Sequence, residues 1–361
     1  MQRVELKKPD GRRLFLYARE ALDVGGGAPS PFAQPLASGG AHLRWHPLRS
    51  EWVTYAPFRQ DRTFLPPPQY DPLAATRDPA APTELPAGNW EVAVFENRFP
   101  ALGWQEPPPG LIVPTASARG RCEVVVYTPD ASTSLGALPL AHIDLLIQVW
   151  AERSVALGSQ SDVQYVLPFE NRGTEIGATL HHPHGQIYAY PVVPPVPARM
   201  QHIAEEHYAR TGRGPLDVLI EAEIASGERL LYQGPDAVAF VPVCARYPYE
   251  VWVAPRAPVA GFHQLSEAQR ADLARALKTV LLKYDGLWSR SMPYLMAWYQ
   301  AACDGRDHPE AHLHAQFYPP YRNRERLKYL AGTEIAAGFF AMDALPEEKA
   351  HELQAVEVTL S

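Results

Sequence analysis

His182-Pro183-His184-Gly185-Gln186, followed by Ile187-Tyr188-Ala189-Tyr190, is the stretch on which the reading of this chain turns. Side chains alternate across a β-strand, so a strand here places His182, His184 and Gln186 on one face. Three adjacent polar groups on one face are costly unless they have partners or a task. Gly185, on the opposite face, leaves room for a backbone or ligand to approach. The pattern returns as His312-Leu313-His314-Ala315-Gln316.

The elements before the two motifs also correspond. The first half has a strand, Glu123-Val124-Val125-Val126-Tyr127, then apolar residues Leu140, Ile143, Ile147 and Trp150 at helical spacing, then a strand over Val163 to Leu167. The second has Glu250 to Pro255 and a helix announced by the capping pair Ser266 and Gln269. That helix carries the stripe Leu273, Leu277, Val280, Leu281 and Tyr284, and a strand over Tyr294 to Trp298 follows. Recurrence of order, type and closing motif predicts a duplication, with two fused units at residues 1–195 and 196–361. Strands outnumber helices, and the expectation is an α+β class, mainly antiparallel, with one main helix per half. A hairpin is expected at the start, where Val4-Glu5-Leu6 and Leu14 to Tyr17 flank Pro9-Asp10-Gly11.

Composition narrows the function. The net charge of −7 over 361 residues and the lack of a long basic run give no footprint for nucleic acid. No stretch has the apolar length of a membrane span, and Met1 to Lys8 has no signal-like apolar core. Cys122, Cys244 and Cys303 are far apart and form no CxxC pair, so a reducing, cytoplasmic setting is expected. The 37 prolines imply long irregular connections, such as Asp23 to Ala41 and Leu65 to Gly88.

A neutral imidazole is a competent nucleophile toward phosphorus near pH 7. It needs its second nitrogen held as a donor, and the covalent phosphoramidate divides one transfer into two steps. His184 is the preferred nucleophile, because the His182 carbonyl lies two residues back and can fix its tautomer. Gln186 is placed to donate to a phosphoryl oxygen. The same pair of histidines also suits a metal site or a satisfied core. Arg59 and Arg62, just beyond a strand, have the guanidinium forks that suit phosphate, or are solvated loop charges. The loop from Phe169-Glu170-Asn171-Arg172-Gly173 to Gly177-Ala178-Thr179 is either a phosphate-facing turn or an ordinary one.

These residues together resemble the galactose-1-phosphate uridylyltransferase family of the histidine-triad superfamily. The resemblance rests on Phe169 to Gly173 with His182 to Gln186, and on the stretch from His46 to Arg62. It extends over Ala118-Arg119-Gly120, Thr128-Pro129-Asp130, Tyr247 through Leu287, and Leu313 to Pro320, and so covers roughly residues 42 to 335. It implies two histidine-triad-like domains, a homodimer, and a place in Leloir galactose metabolism. It also implies a ping-pong exchange in which UDP-glucose passes UMP to His184 and galactose 1-phosphate takes it up. By match, His182 and Gln186 accompany His184 in catalysis. Arg59, Arg62 and Gln186 hold phosphates; Asn171, Gly177 and Thr179 line the phosphate and sugar side; Asn97 lies near the nucleoside. Lys328 and Glu334 match a segment that meets the hexose phosphate from the other subunit. Alternatives on the same scaffold are a nucleotide-sugar or dinucleoside-polyphosphate phosphorylase or adenylyltransferase. A nucleotide-binding module without catalysis is a third reading.

The chain departs from the family in its metal ligands. Leu65 to Gly88 holds no cysteine, and Ala131 stands where a zinc-binding histidine is common. Tyr299 and Gln316 replace two histidines of a second metal site. The expectation is no zinc or iron at either place and no cofactor. Arg98 stands where an aspartate near the ribose is common, and Phe340 lies near the place of a sugar-contacting glutamine.

Overall fold

The computed structural model describes residues 1–25, 27–32, 34, 41–61, 70–103 and 106–360. The first half supplies strands β1 (Gln2–Lys7), β2 (Arg13–Ala18), β3 (His42–His46), β4 (Glu51–Tyr55), β5 (Val92–Glu96), β6 (Thr115–Ser117) and β7 (Arg121–Val126). Helix α1 (Leu140–Gly158), β8 (Tyr165–Arg172) and β9 (His184–Tyr190) follow. The second half begins with α2 (Pro195–Thr211) and α3 (Pro215–Ser226), then β10 (Leu230–Gln233), β11 (Ala237–Phe240) and β12 (Val251–Pro255). It ends with α4 (Glu267–Leu287), β13 (Tyr294–Tyr299), β14 (His314–Tyr318) and α5 (Pro346–Gln354).

Eleven strands form one sheet in the order β1-β2-β5-β7-β9-β8-β13-β14-β12-β11-β10. Its ladders are antiparallel throughout. The halves meet at β8 and β13, where Glu170 is opposite Met296. The repeated order read from the sequence is thus a repeated strand order about the middle of one continuous sheet. Helices α1 and α4 pack on one face and touch each other. Trp150 of α1 meets Trp298 of β13 at 5.7 Å and Phe262 at 5.8 Å, so the aromatic core crosses between halves. Helix α4 opens with the expected box: Ser266 Oγ accepts from the Gln269 amide at 3.2 Å, and the Ser266 amide donates to Gln269 Oε1 at 2.9 Å. The first hairpin turns through Gly11 at φ 88°.

The other face of the sheet is covered differently in each half. In the first half the small sheet β4-β3-β6 packs there, with Leu43, Trp52 and Ala116 against Tyr188 and Phe169. In the second half α3 lies over β11 and β12, with Ile220 against Val238, Phe240 and Ala254. Helices α2, α3 and α5 go beyond one main helix per half. All three have proline in the first turn, where the missing N–H costs nothing because no carbonyl precedes it to be paired.

Candidate functional site

The strand β9 opens at His184, two residues later than the sequence pattern predicts, and His182 lies ahead of it. His182 therefore does not share the strand face. Its ring is buried, with Nδ1 2.6 Å from Asp71 Oδ2 and Nε2 2.7 Å from the Thr128 carbonyl. Asp71 holds its carboxyl below the ordinary value even though burial pushes it up, because the contact with His182 favours the charged form. From His184 onward the alternation holds. Ile187 and Ala189 enter the core under α1, while Tyr188 and Tyr190 face the small sheet. Gly185 serves close packing: a Cβ there would strike the Tyr127 hydroxyl and come within 2.8 Å of the Phe169 carbonyl.

His184 Nδ1 is 2.8 Å from the His182 carbonyl. A carbonyl only accepts, so Nδ1 carries the hydrogen and Nε2 the lone pair. Among the described residues nothing hydrogen-bonds to that Nε2. Burial pushes the His184 pKa below its ordinary value, against the opposing effect of the His182 carbonyl, and neighbouring His182 adds to the depression. The neutral form is thereby favoured.

Two cavities meet at His184. One, of about 240 Å³, is lined by Arg59, Asn97, Asn171, Gly177, Thr179 and Gln186. Phe32, Phe95 and Phe99 give it aromatic walls. The other, of about 180 Å³, shares Asn171 and His184 and adds Ser134, Arg172, Thr174, His181 and Ser291. Among the described residues the buried Asn171 Oδ1 has no partner, which leaves an acceptor for a ligand hydroxyl. Gly177 closes the turn 174–176 at φ 81°, a left-handed conformation that favours glycine. Arg59 donates to the Phe99 carbonyl at 2.6 Å and leans on the Tyr188 hydroxyl at 3.4 Å. Asn97 Oδ1 accepts from the Phe99 amide at 2.8 Å.

The predicted site residues fall into three groups. His184, Gln186, Arg59, Asn97, Asn171, Gly177 and Thr179 come together around one cavity. Arg62 lies outside the described residues. Lys328 and Glu334 line neither cavity of their own chain. Lys328 Nζ donates to the Ala341 carbonyl at 2.6 Å and lies 3.7 Å from Glu334 Oε1. Sequence reasoning missed Asp71, Phe32 and Tyr188. Asp71 sits in a proline-rich connection with no periodicity to reveal it. Arg98 stacks 3.6 Å over the centre of the Phe32 ring and lines the same cavity.

The second motif has the same backbone contact and the opposite state. His314 Nδ1 is 2.8 Å from the His312 carbonyl, yet its Nε2 meets Gln316 Nε2 at 3.0 Å. Gln316 Oε1 accepts in turn from the Tyr318 hydroxyl. The Tyr299 ring stacks on His314 at 5.3 Å. The lone pair of His314 is already capped, so only the first motif presents an open nitrogen.

Residues 33–194 match the family described as galactose-1-phosphate uridyl transferase, N-terminal domain, and residues 198–360 match its C-terminal domain. A galactose-1-phosphate uridylyltransferase of Thermotoga maritima is 35% identical over 88% of this chain and 99% of its own. One of Streptomyces lividans is 34% identical, covering 89% of this chain and 88% of its own. A solved uridylyltransferase structure superimposes with a TM-score of 0.78 at 32% identity, over 87% of this chain and 98% of that one. With an open histidine between two cavities, a capped copy of the same motif, and matches along nearly its whole length, this chain belongs to the galactose-1-phosphate uridylyltransferase family.

Proposed function

We propose that the chain exchanges UMP between UDP-glucose and galactose 1-phosphate through a covalent uridylyl group on His184. One observation carries the reading: His184 has Nδ1 tied to the His182 carbonyl at 2.8 Å and Nε2 open where two cavities meet. In the first step Nε2 attacks the α-phosphorus of UDP-glucose. The bond to the bridging oxygen breaks and glucose 1-phosphate leaves with its electron pair. In the second, a phosphate oxygen of galactose 1-phosphate attacks the same phosphorus and His184 departs neutral. Gln186, in the same cavity, has the amide donor that a non-bridging oxygen needs as charge builds. Arg59 supplies a positive charge beside it, and Arg62 is read in the same role from sequence alone. Asn97 is assigned to the nucleoside, and Asn171, Gly177 and Thr179 to the phosphate and sugar side. His182, clamped between Asp71 and Thr128, positions the backbone that orients His184.

Lys328 and Glu334 are assigned to the hexose phosphate of a second subunit's site. Support comes from the exposed apolar residues around them: Tyr329, Ile335 and Phe339 are 77%, 65% and 74% exposed. A homodimer covers them. The halves 1–195 and 196–361 are read as two histidine-triad-like domains, the first carrying the nucleophile. No helix among the described residues is long and apolar enough to cross a membrane. With Cys122, Cys244 and Cys303 unpaired, a cytoplasmic setting is the reading. Neither family metal position is read as occupied: both nitrogens of His182 are engaged, and Tyr299 and Gln316 are held by Tyr318.

Intact-mass measurement after incubation with UDP-glucose alone tests the proposal. The expected result is one added UMP, discharged by galactose 1-phosphate and absent in His184→Ala. An AMP adduct from ADP-glucose that phosphate discharges instead moves the reading to a phosphorylase. No adduct from any donor sinks the covalent route.

A further inference from the structure

In the second half, the loop between β13 and β14 brings Asp304, Arg306, His308 and Glu310 to Glu205 of α2. His308 is 6% exposed and Glu310 8%. His308 Nδ1 lies 2.8 Å from Glu310 Oε1, and Nε2 lies 2.8 Å from Asp304 Oδ1. A carboxylate oxygen of Glu205, one of Glu310 and a ring nitrogen of His308 all lie within 4.8 Å of one another. Three carboxylates thus gather around a single imidazole. Among the described residues the other cation paired here is Arg306, which is on the surface and shared between Asp304 at 2.6 Å and Glu205 at 3.2 Å. Glu310 has only His308 as its ion-pair partner among the described residues. Negative charge in excess of its partners, partly withdrawn from water, is a costly arrangement.

We propose that Glu205, His308 and Glu310 bind a divalent first-row cation that clips α2 to the loop ahead of β14. One imidazole nitrogen with two carboxylate oxygens suits zinc and its neighbours. Zinc binds such ligands at about 2.0–2.2 Å, which sets neighbouring ligand atoms roughly 3.5 Å apart in a tetrahedron. The gathered atoms reach that spacing by small shifts, and partly exposed Glu205 has the freedom to make them. Asp304 supplies the second reason. Metal-bound histidines donate their other N–H to a carboxylate, and Asp304 on Nε2 leaves Nδ1 to coordinate. The ion takes the neutral ring, so one proton leaves His308 on binding.

The position gives the clip a structural task. His308 and Glu310, with Gln201 and Ala204 of α2, line a cavity of about 270 Å³ whose floor is the capped His314 and Gln316. Joining α2 to the loop holds the roof over that second motif. The ligands belong to neither family metal position, since Tyr299 and Gln316 are not among them. The proposal is independent of the uridylyl chemistry at His184.

The test uses the full chain, stripped with chelator and dialysed. Zinc chloride is titrated calorimetrically, with thermal unfolding followed in parallel. The expected result is one zinc per chain at micromolar or tighter affinity and a raised unfolding midpoint. Affinity falls at least ten-fold in His308→Ala and in Glu310→Gln, and the midpoint no longer responds to zinc. If those buried variants fold poorly, Glu205→Gln, altered at a partly exposed position, must still lose at least ten-fold. Cobalt(II) in place of zinc should give visible d–d bands that vanish in the same variants. No zinc binding below millimolar concentration, or binding unchanged by these substitutions, overturns the proposal. The UMP adduct, measured on the stripped protein, is expected to form unchanged, so the two readings fail separately.

Discussion

A single hydrogen bond separates the two histidines that end the repeated motifs. His184 and His314 both give Nδ1 to a carbonyl two residues back, but Gln316 covers Nε2 of His314 while nothing described covers that of His184. On the proposed covalent route, His184→Ala removes the nucleophile and should lower kcat by roughly 10⁴-fold or more, measured by coupled assay of released glucose 1-phosphate. Burial keeps the His184 pKa below its ordinary value, so the neutral ring that the proposed attack needs persists as pH falls past about 6.5. The acid limb of single-turnover adduct formation is therefore expected below that pH; a limb above it contradicts the assigned environment. Asp71→Asn keeps the shape beside His182 and removes the charge. It should slow adduct formation by roughly 10–100-fold, equivalent to one charge-assisted hydrogen bond of about 1.5–3 kcal/mol. Stopped quench-flow would show it, and an unchanged rate would make Asp71 merely structural.

Among the elements, α1 is fastened to the sheet by a buried pair. Arg153 of α1 donates to both oxygens of Glu123 on β7, at 3.0 and 2.6 Å. Burial raises the Glu123 pKa, and Arg153 opposes that rise. Arg153→Met strands the carboxylate and should cost about 3–5 kcal/mol in urea unfolding. Changing both residues to apolar ones of similar volume should recover much of that loss. Strand β9 is held just as closely. Gly185→Ala places a methyl group against Tyr127 and the Phe169 carbonyl, and overpacking of this kind costs about 1–3 kcal/mol. Its adduct formation should fall with stability, because the strand that bends away carries His184.

For the whole molecule, the decisive prediction concerns two subunits. If the segment bearing Lys328 completes a partner's site, His184→Ala and Lys328→Ala should each be nearly inactive alone. Mixed by co-expression, half of the dimers pair the two variants and each has one intact site. About a quarter of wild-type activity should then return. Activity that stays at the level of the single variants would confine Lys328 to its own chain, where it already meets the Ala341 carbonyl.

How much of this could be read in advance follows from the range of the forces involved. The capping box at Ser266 and Gln269, the turn at Gly11, the apolar stripes of α1 and α4 and the two HxHxQ motifs are set by neighbours within a few residues, so spacing alone discloses them. Local pattern left Arg59, Asn171, Gly177 and Thr179 open between a phosphate site and an ordinary loop, and did not mark Asn97 at all; the resemblance carried all five to the cavity. Proline hid α2 and α3, because its place in a helix's first turn is indistinguishable from its place in a loop until the chain is folded. Residue order and spacing were enough for the duplication, the antiparallel α+β class and the strand that carries the open histidine. The folded chain alone reveals that the halves share one sheet, that Asp71 reaches His182 across more than a hundred residues, and that one motif is open while the other is capped. Those outcomes depend on contacts between segments remote in the chain, and the energy that selects them is absent until the segments meet.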